Sequence, residues 1–234
     1  MHRALAARSD RVVGALAVLA LVAGSVIIGT QRARYERYLY ISELGAVHMR
    51  SEEWFRWGFV LVVVGIALVA WVLRDVRSRG RVLDRWRPAI SLLVSAAWFL
   101  VASQVTCTDG CPAPFTPGST PRDAVHIAAA VLGFAAGAWG MVQLATATDR
   151  WLRRISAVGG VLVAGFAATG GLISLARGNT DVGSTLEYVA AAIGVAWLVT
   201  VTIVHLVQGP ATVTVRGPDA SADARRRERV DAAG

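Results

Sequence analysis

The sequence predicts an all-α integral membrane protein: six transmembrane helices in one bundle, both termini cytoplasmic, and a short interfacial helix in the first outer loop. Three observations predict it. Hydrophobic residues make up 55% of the 234 positions and charged residues only 17%, where a soluble domain carries about 25% charge. Six apolar runs of bilayer-spanning length recur at 12–29, 57–73, 89–106, 124–147, 155–176 and 188–207, and runs this long can satisfy their backbone in lipid as helices. Finally, 17 of the 24 arginines fall in the N-terminus, residues 74–88, residues 149–154 and the C-terminal tail, against seven in or beside the other three connections. By the positive-inside bias the first set is cytoplasmic.

The first run, 12–29, follows Arg3, Arg8 and Arg11 and continues into Thr30-Gln-Arg-Ala-Arg34. A signal peptide has an apolar core of about 7–15 residues and a small-residue cleavage site, so this segment reads as a retained helix. Residues 1–11 are then a cytoplasmic N-terminus, 12–208 the six-helix domain, and 209–234 a tail. The helices are expected at about 12–30, 55–74, 89–106, 122–147, 155–176 and 186–208.

Between the first two helices lies a long outer loop with Tyr35, Tyr38, Leu39, Tyr40 and then Ile41-Ser-Glu-Leu-Gly45. Tyrosine suits the headgroup layer, and an interfacial helix from about Tyr35 to Leu44 is expected, with Trp54, Phe55 and Trp57 continuing an aromatic belt. The arginine-rich connection 74–87 reads as a topology anchor beside anionic lipid. Small residues at helical spacing, Gly133/Gly137, Gly160/Ala164 and Ala167/Gly171, read as helix-packing positions. From Gly209 onward the chain is polar, with Arg225-Arg-Arg-Glu-Arg229, and is expected to be disordered and cytoplasmic. The formal charge of +8 is carried wholly by arginine, spread between apolar runs instead of over one face of a domain. It points to membrane topology, with no nucleic-acid partner.

Chemistry concentrates between Cys107 and His126: Cys-Thr-Asp-Gly-Cys-Pro, a loop holding Pro112, Pro114, Pro117 and Pro121, then Asp123-Ala-Val-His126. On the outer side the two thiols are expected to oxidise to a Cys107–Cys111 bridge that pins Asp109 and Gly110 in a tight turn. The rival readings are a redox pair and a metal clamp needing further ligands. Asp123 meets the positive end of the fourth helix dipole. His126, three residues on, shares its face, and an ionisable group inside a membrane helix is a functional candidate by default. Glu187, with Asp181 just before it, opens the sixth helix at the same depth. His48 is a loop residue, and His205 lies at the opposite end.

Glu43, Asp109, Asp123, His126 and Glu187 are therefore expected to converge as a binding pocket under the outer loops. Such a set can hold a divalent cation, shuttle a proton or receive a polar headgroup. No cofactor is expected, a divalent metal being the one such a set could hold.

The order Ile41-Ser-Glu-Leu-Gly45, Cys107-Thr-Asp-Gly-Cys-Pro112, Asp123-x-x-His126 and Leu186-Glu187 resembles the bacterial six-helix membrane family called domain of unknown function 998. That family is in turn similar to the Frag/DRAM/Sfk group, some members of which are implicated in lipid organisation. The resemblance covers about residues 12–208 and implies topology and marked positions, not a reaction. It departs at Tyr188, where the family is expected to carry arginine. Without a nucleotide loop, Gly-x-Ser-x-Gly elbow or His-Glu-x-x-His pair, the expected role is non-enzymatic: a bacterial plasma-membrane protein whose outer polar pocket, closed by the disulfide loop, contacts membrane lipid headgroups or a membrane protein partner. The alternative is a metal-dependent lipid hydrolase with His126, Asp123 and Glu187 holding a metal that activates water. An ion-coupled carrier would need midplane acids, which these helices lack.

Overall fold

The computed structural model describes residues 2–112, 116–176 and 180–208, the side chains of 2–7, 175 and 180 excepted. Six helices follow one another: α1 (His2–Arg32), α2 (Glu52–Val72), α3 (Pro88–Gln104), α4 (Pro121–Leu144), α5 (Arg150–Leu175) and α6 (Thr180–Gln208). There is no strand among the described residues. Five of the helices are long and apolar enough to cross a membrane, and α3, at 17 residues, is shorter. At 1.5 Å per residue it still reaches about 25 Å.

Helix ends follow local chemistry more than apolar runs. Helix α1 begins at His2, well before residue 12, because Ala-Leu-Ala-Ala ahead of Arg8 favours helix and no proline or glycine falls between residues 2 and 12. Helix α5 begins at Arg150, where the Asp149 carboxylate accepts from the N–H groups of Trp151 (2.8 Å) and Leu152 (2.9 Å). Pro88 and Pro121 occupy first-turn positions of α3 and α4, where their missing N–H costs nothing. The tail expected to be disordered, 209–234, lies outside the described residues.

The interfacial helix expected from Tyr35 to Leu44 does not form. The loop runs through turns into a single 3-10 turn at Ser42–Gly45. Leu39, Leu44 and Phe55 are buried together, with Ile28, Phe59 and Tyr188 packed on them. The loop is thus folded inward over one end of the bundle, and the N–H groups that a helix would use internally at Tyr40 and Ile41 are taken by carboxylates.

The helices close into a ring: each packs on the next in sequence, and α6 returns to α1. The main core runs along its inner side, with Leu21, Val63, Ile66, Leu92, Leu144, Leu198 and Val201 buried. Outward faces stay apolar, with Leu19, Val161 and Leu172 each well over half exposed, as lipid-facing helices require and soluble ones avoid. At the end opposite the folded loop, Arg74 makes a paired contact with Asp10 (2.8 and 3.2 Å), tying α1 to the end of α2.

Backbones approach closest where α1 crosses α2. A Cβ on Gly24 would fall 2.5 Å from the Gly58 carbonyl oxygen, which cannot step aside. Of the small pairs read from the sequence, Gly133 and Gly137 do receive α3, against Phe99 and Ser95, whereas Gly171 faces open space.

Gly24→Ala is expected to lower stability by about 1–3 kcal/mol through overpacking, seen as a reduced thermal-unfolding midpoint in detergent. Gly165→Ala, where a Cβ meets nothing within 4 Å, leaves the midpoint unchanged or raises it.

Candidate functional site

The α3–α4 connection is held by side chains from the first turns of α4. Thr120 and Asp123 form a reciprocal capping box, and the Asp123 carboxylate, fully buried, accepts more than the cap supplies. Oδ2 receives the N–H (2.8 Å) and hydroxyl (2.7 Å) of Thr120, and Oδ1 receives the N–H (2.7 Å) and hydroxyl (2.9 Å) of Thr108. Arg122 reaches back to the Thr106 carbonyl (2.6 Å) and hydroxyl (2.9 Å).

His126 is buried, with Nδ1 lying 2.9 Å from the Ala102 carbonyl oxygen and 2.8 Å from that of Val105. Two carbonyls can only accept, so Nδ1 carries the proton. The imidazole thereby satisfies orphan carbonyls at the end of α3.

The Cys107–Cys111 disulfide is present, with Cα atoms 5.2 Å apart. It closes a turn in which the Cys111 N–H donates to the Thr108 carbonyl (2.9 Å), with Gly110 and Cys111 both at positive φ. Asp109 sits exposed at its tip. Both sulfurs lie within 4.8 Å of a ring nitrogen of His126, and among the described residues this is the set of three His, Cys or acidic side chains whose ligand atoms come together. With both thiols spent in the bridge, the set works as scaffold. His126, Asp123 and Glu187 form no such group.

The first loop is fastened on both sides. The Val47 N–H donates to the Cys107 carbonyl (3.2 Å), and the Ile41 N–H donates to Glu187 Oε2 on α6 (3.0 Å). One residue earlier, the Tyr40 N–H donates to Glu43 Oε1 (3.1 Å), and Arg37 stands 3.8 Å from the other Glu43 oxygen. Burial pushes the Glu43 carboxyl up from its ordinary 4.5; the Tyr40 N–H and Arg37 oppose this, while Asp109 adds to it.

Beneath this lid the helices line a half-open cavity of about 260 Å³. Ile28 of α1, Phe59 and Val62 of α2, Phe99 of α3, Phe134 and Met141 of α4, and Trp197 and Leu198 of α6 are among its walls, with Ile41 at the lid. Four polar side chains reach it. Ser25 and Ser95 are satisfied by the carbonyls of Leu21 (2.8 Å) and Gly133 (2.8 Å). The other two are Glu187 and Tyr188, neighbours at the lid end. Tyr188 Oη is buried and has no hydrogen-bond partner. The Arg32 guanidinium lies over its ring (6.0 Å) and over that of Tyr38 (5.9 Å), while donating to the Tyr35 carbonyl (2.7 Å). A cation from α1 thus stands beside position 188, where the family resemblance leads one to expect an arginine in α6.

Of the five residues expected to share a pocket, Glu187 alone lines the cavity. Glu43 binds the same short lid segment and lies within Coulombic reach of Glu187 and Asp109. Asp123 and His126 belong to the α3–α4 scaffold. His48 is exposed, at positive φ, and His205 is at the far end of α6. Sequence reading missed Tyr188 and Arg32 as site residues, and missed the cavity altogether. Its apolar wall looks the same in sequence as a packed core.

Fold and site together define a polytopic helical membrane protein with a half-open apolar cavity among its helices, below the first loop. A family model described as Protein of unknown function (DUF998) matches residues 15–204, and the chain belongs to that family. No curated protein and no solved structure matches it.

A carboxyl whose pKa is raised on folding favours the folded state below its unfolded value, and that contribution is lost as pH rises through the folded one. The unfolding midpoint in detergent should therefore fall as pH climbs from 4.5 through the raised value of Glu43, and Glu43→Gln should flatten that decline. Tyr188→Phe removes an unpaired buried hydroxyl and is expected to raise stability by about 1–2 kcal/mol in the unliganded protein, read as an upward shift of the same midpoint.

Proposed function

We propose that this is a non-enzymatic bacterial plasma-membrane protein that binds a lipid by its tail, inside the helix ring, with the lipid's head at Glu187. The observation that carries this is the cavity: about 260 Å³, apolar along its length and acidic at one end. It lies near the lower bound of ligand sites, about 300–1,000 Å³, and has their composition, mostly apolar with a few placed polar groups. The polar cap above it offers a headgroup little. Asp123 and His126 are occupied by Thr108, Thr120 and the end of α3, so recognition by the cap alone would break bonds the fold uses.

The arginine distribution supports a membrane orientation with both termini cytoplasmic and the lid outside. A disulfide in the lid suits that side. Exposed aromatics fall at both ends of the bundle, Tyr38, Trp54 and Trp57 near the lid and Trp71, Trp86 and Trp151 at the other, as two interfacial belts would.

Gly194 lines the cavity, and a Cβ there meets nothing within 4 Å, so a Gly194→Leu side chain starts in free space and takes up cavity volume. Native mass spectrometry of the protein purified in mild detergent is expected to show a lipid-sized adduct on the wild type and at least a ~10-fold loss of occupancy in Gly194→Leu. A wild type without adduct, or a variant that keeps it, overturns the reading.

A further inference from the structure

The lid end of the cavity carries its own chemistry. Glu187 lines it, and Glu43 stands behind within Coulombic reach. Two guanidiniums are nearby, and both are engaged. Arg37 is mostly exposed and faces Glu43 at 3.8 Å, while Arg32 donates to the Tyr35 carbonyl and lies over two tyrosine rings. Neither lines the cavity. What the cavity presents as a polar group at this end is the carboxyl of Glu187; the Tyr188 ring lines the wall beside it, with its hydroxyl buried.

An anionic head placed there would be stripped of water with no cationic side chain among the described residues of the cavity lining to pair with it, and a buried unpaired charge is costly. A head bearing N–H or O–H groups meets the opposite situation. It can donate to the Glu187 carboxyl, whose oxygens accept. We infer that the cavity selects a single-chain amphiphile whose head is a non-anionic hydrogen-bond donor, an amine or a hydroxyl, with Glu187 as the group that reads it. This rests on the tail-binding reading and adds the class of head.

Chain-matched probes separate the two claims. Decylamine, decanol, decanoate and decyl phosphate are added at equal concentration to the delipidated full-length protein, and the bound fraction of each is read by native mass spectrometry. Decylamine and decanol are expected to exceed the two anions by ~10-fold or more. Glu187→Gln keeps an oxygen to accept the Ile41 N–H, so the lid stays fastened; in this variant the preference for decylamine over decanoate should shrink to within about threefold. Equal binding of all four probes, or preference for the anions, overturns the selectivity and leaves the tail site standing. Full retention of the preference in Glu187→Gln overturns the assignment to Glu187. Failure of the wild type to bind any of the four overturns tail binding itself.

Discussion

The structure depends on how a chain turns around at the edge of an apolar phase without abandoning its backbone polar groups. Helices satisfy themselves internally, but connections do not, and an unpaired N–H or C=O away from water costs about as much as a lost hydrogen bond. This chain solves the problem at one end of the bundle with three ionisable side chains planted in helices. Asp123 collects the N–H groups of Thr108 and Thr120, His126 serves the last carbonyls of α3, and Glu187 takes the Ile41 N–H. Each anchors a segment distant in sequence, and between them they hold the α3–α4 connection and the first loop over the helix ring. Carboxylates suit this because a charged acceptor makes stronger bonds to backbone N–H than a neutral one.

The same residues show what could and could not be read from sequence. Ionisable groups in apolar runs stood out at 123, 126 and 187, and they do mark the lid. Their role was the ambiguous part. An Asp or His in a membrane helix looks alike whether it awaits a ligand or fastens a loop, and the difference lies in partners such as Ala102, Val105 and Thr108, which have no distinguishing pattern. The six helices were legible because bilayer-length apolar runs are strong signals. Their starts at 2, 150 and 180 were not, because charged first turns belong to helices that apolar composition cannot delimit. The amphipathic look of Tyr35–Leu44 misled for a related reason. Its apolar residues pack inward on Phe55, and its N–H groups are claimed by acids from elsewhere, a tertiary outcome that local periodicity does not contain.

Packing divides the bundle into a tight part and an open one. Helices α1 and α2 meet at Gly24 and Gly58 with no room for a methyl group, and α3 and α4 meet through Phe99 over Gly133. Gly29 and Gly194 point the other way: both line the cavity, and a Cβ on either meets nothing within 4 Å. Glycine in a helix interior costs about 0.5–1 kcal/mol relative to alanine, and at Gly24 the close approach explains it. At Gly194 no approach does. There the missing side chain only adds volume.

That volume is expensive if nothing fills it. Walls left without packed neighbours over about 260 Å³ forgo dispersion contacts that a close-packed bundle would make. An apolar occupant recovers contact with the walls, and bilayer chains surround the bundle at every depth. The lid meanwhile is fixed to α6 through Ile41 and to the disulfide loop through Val47, so a head arriving at Glu187 meets groups already held in place. Preorganisation of this kind lowers the ordering cost of binding. On the proposed tail-binding reading the fastened lid supplies geometry and the apolar walls supply affinity, so the acids that hold the loop and the walls below it act as one site.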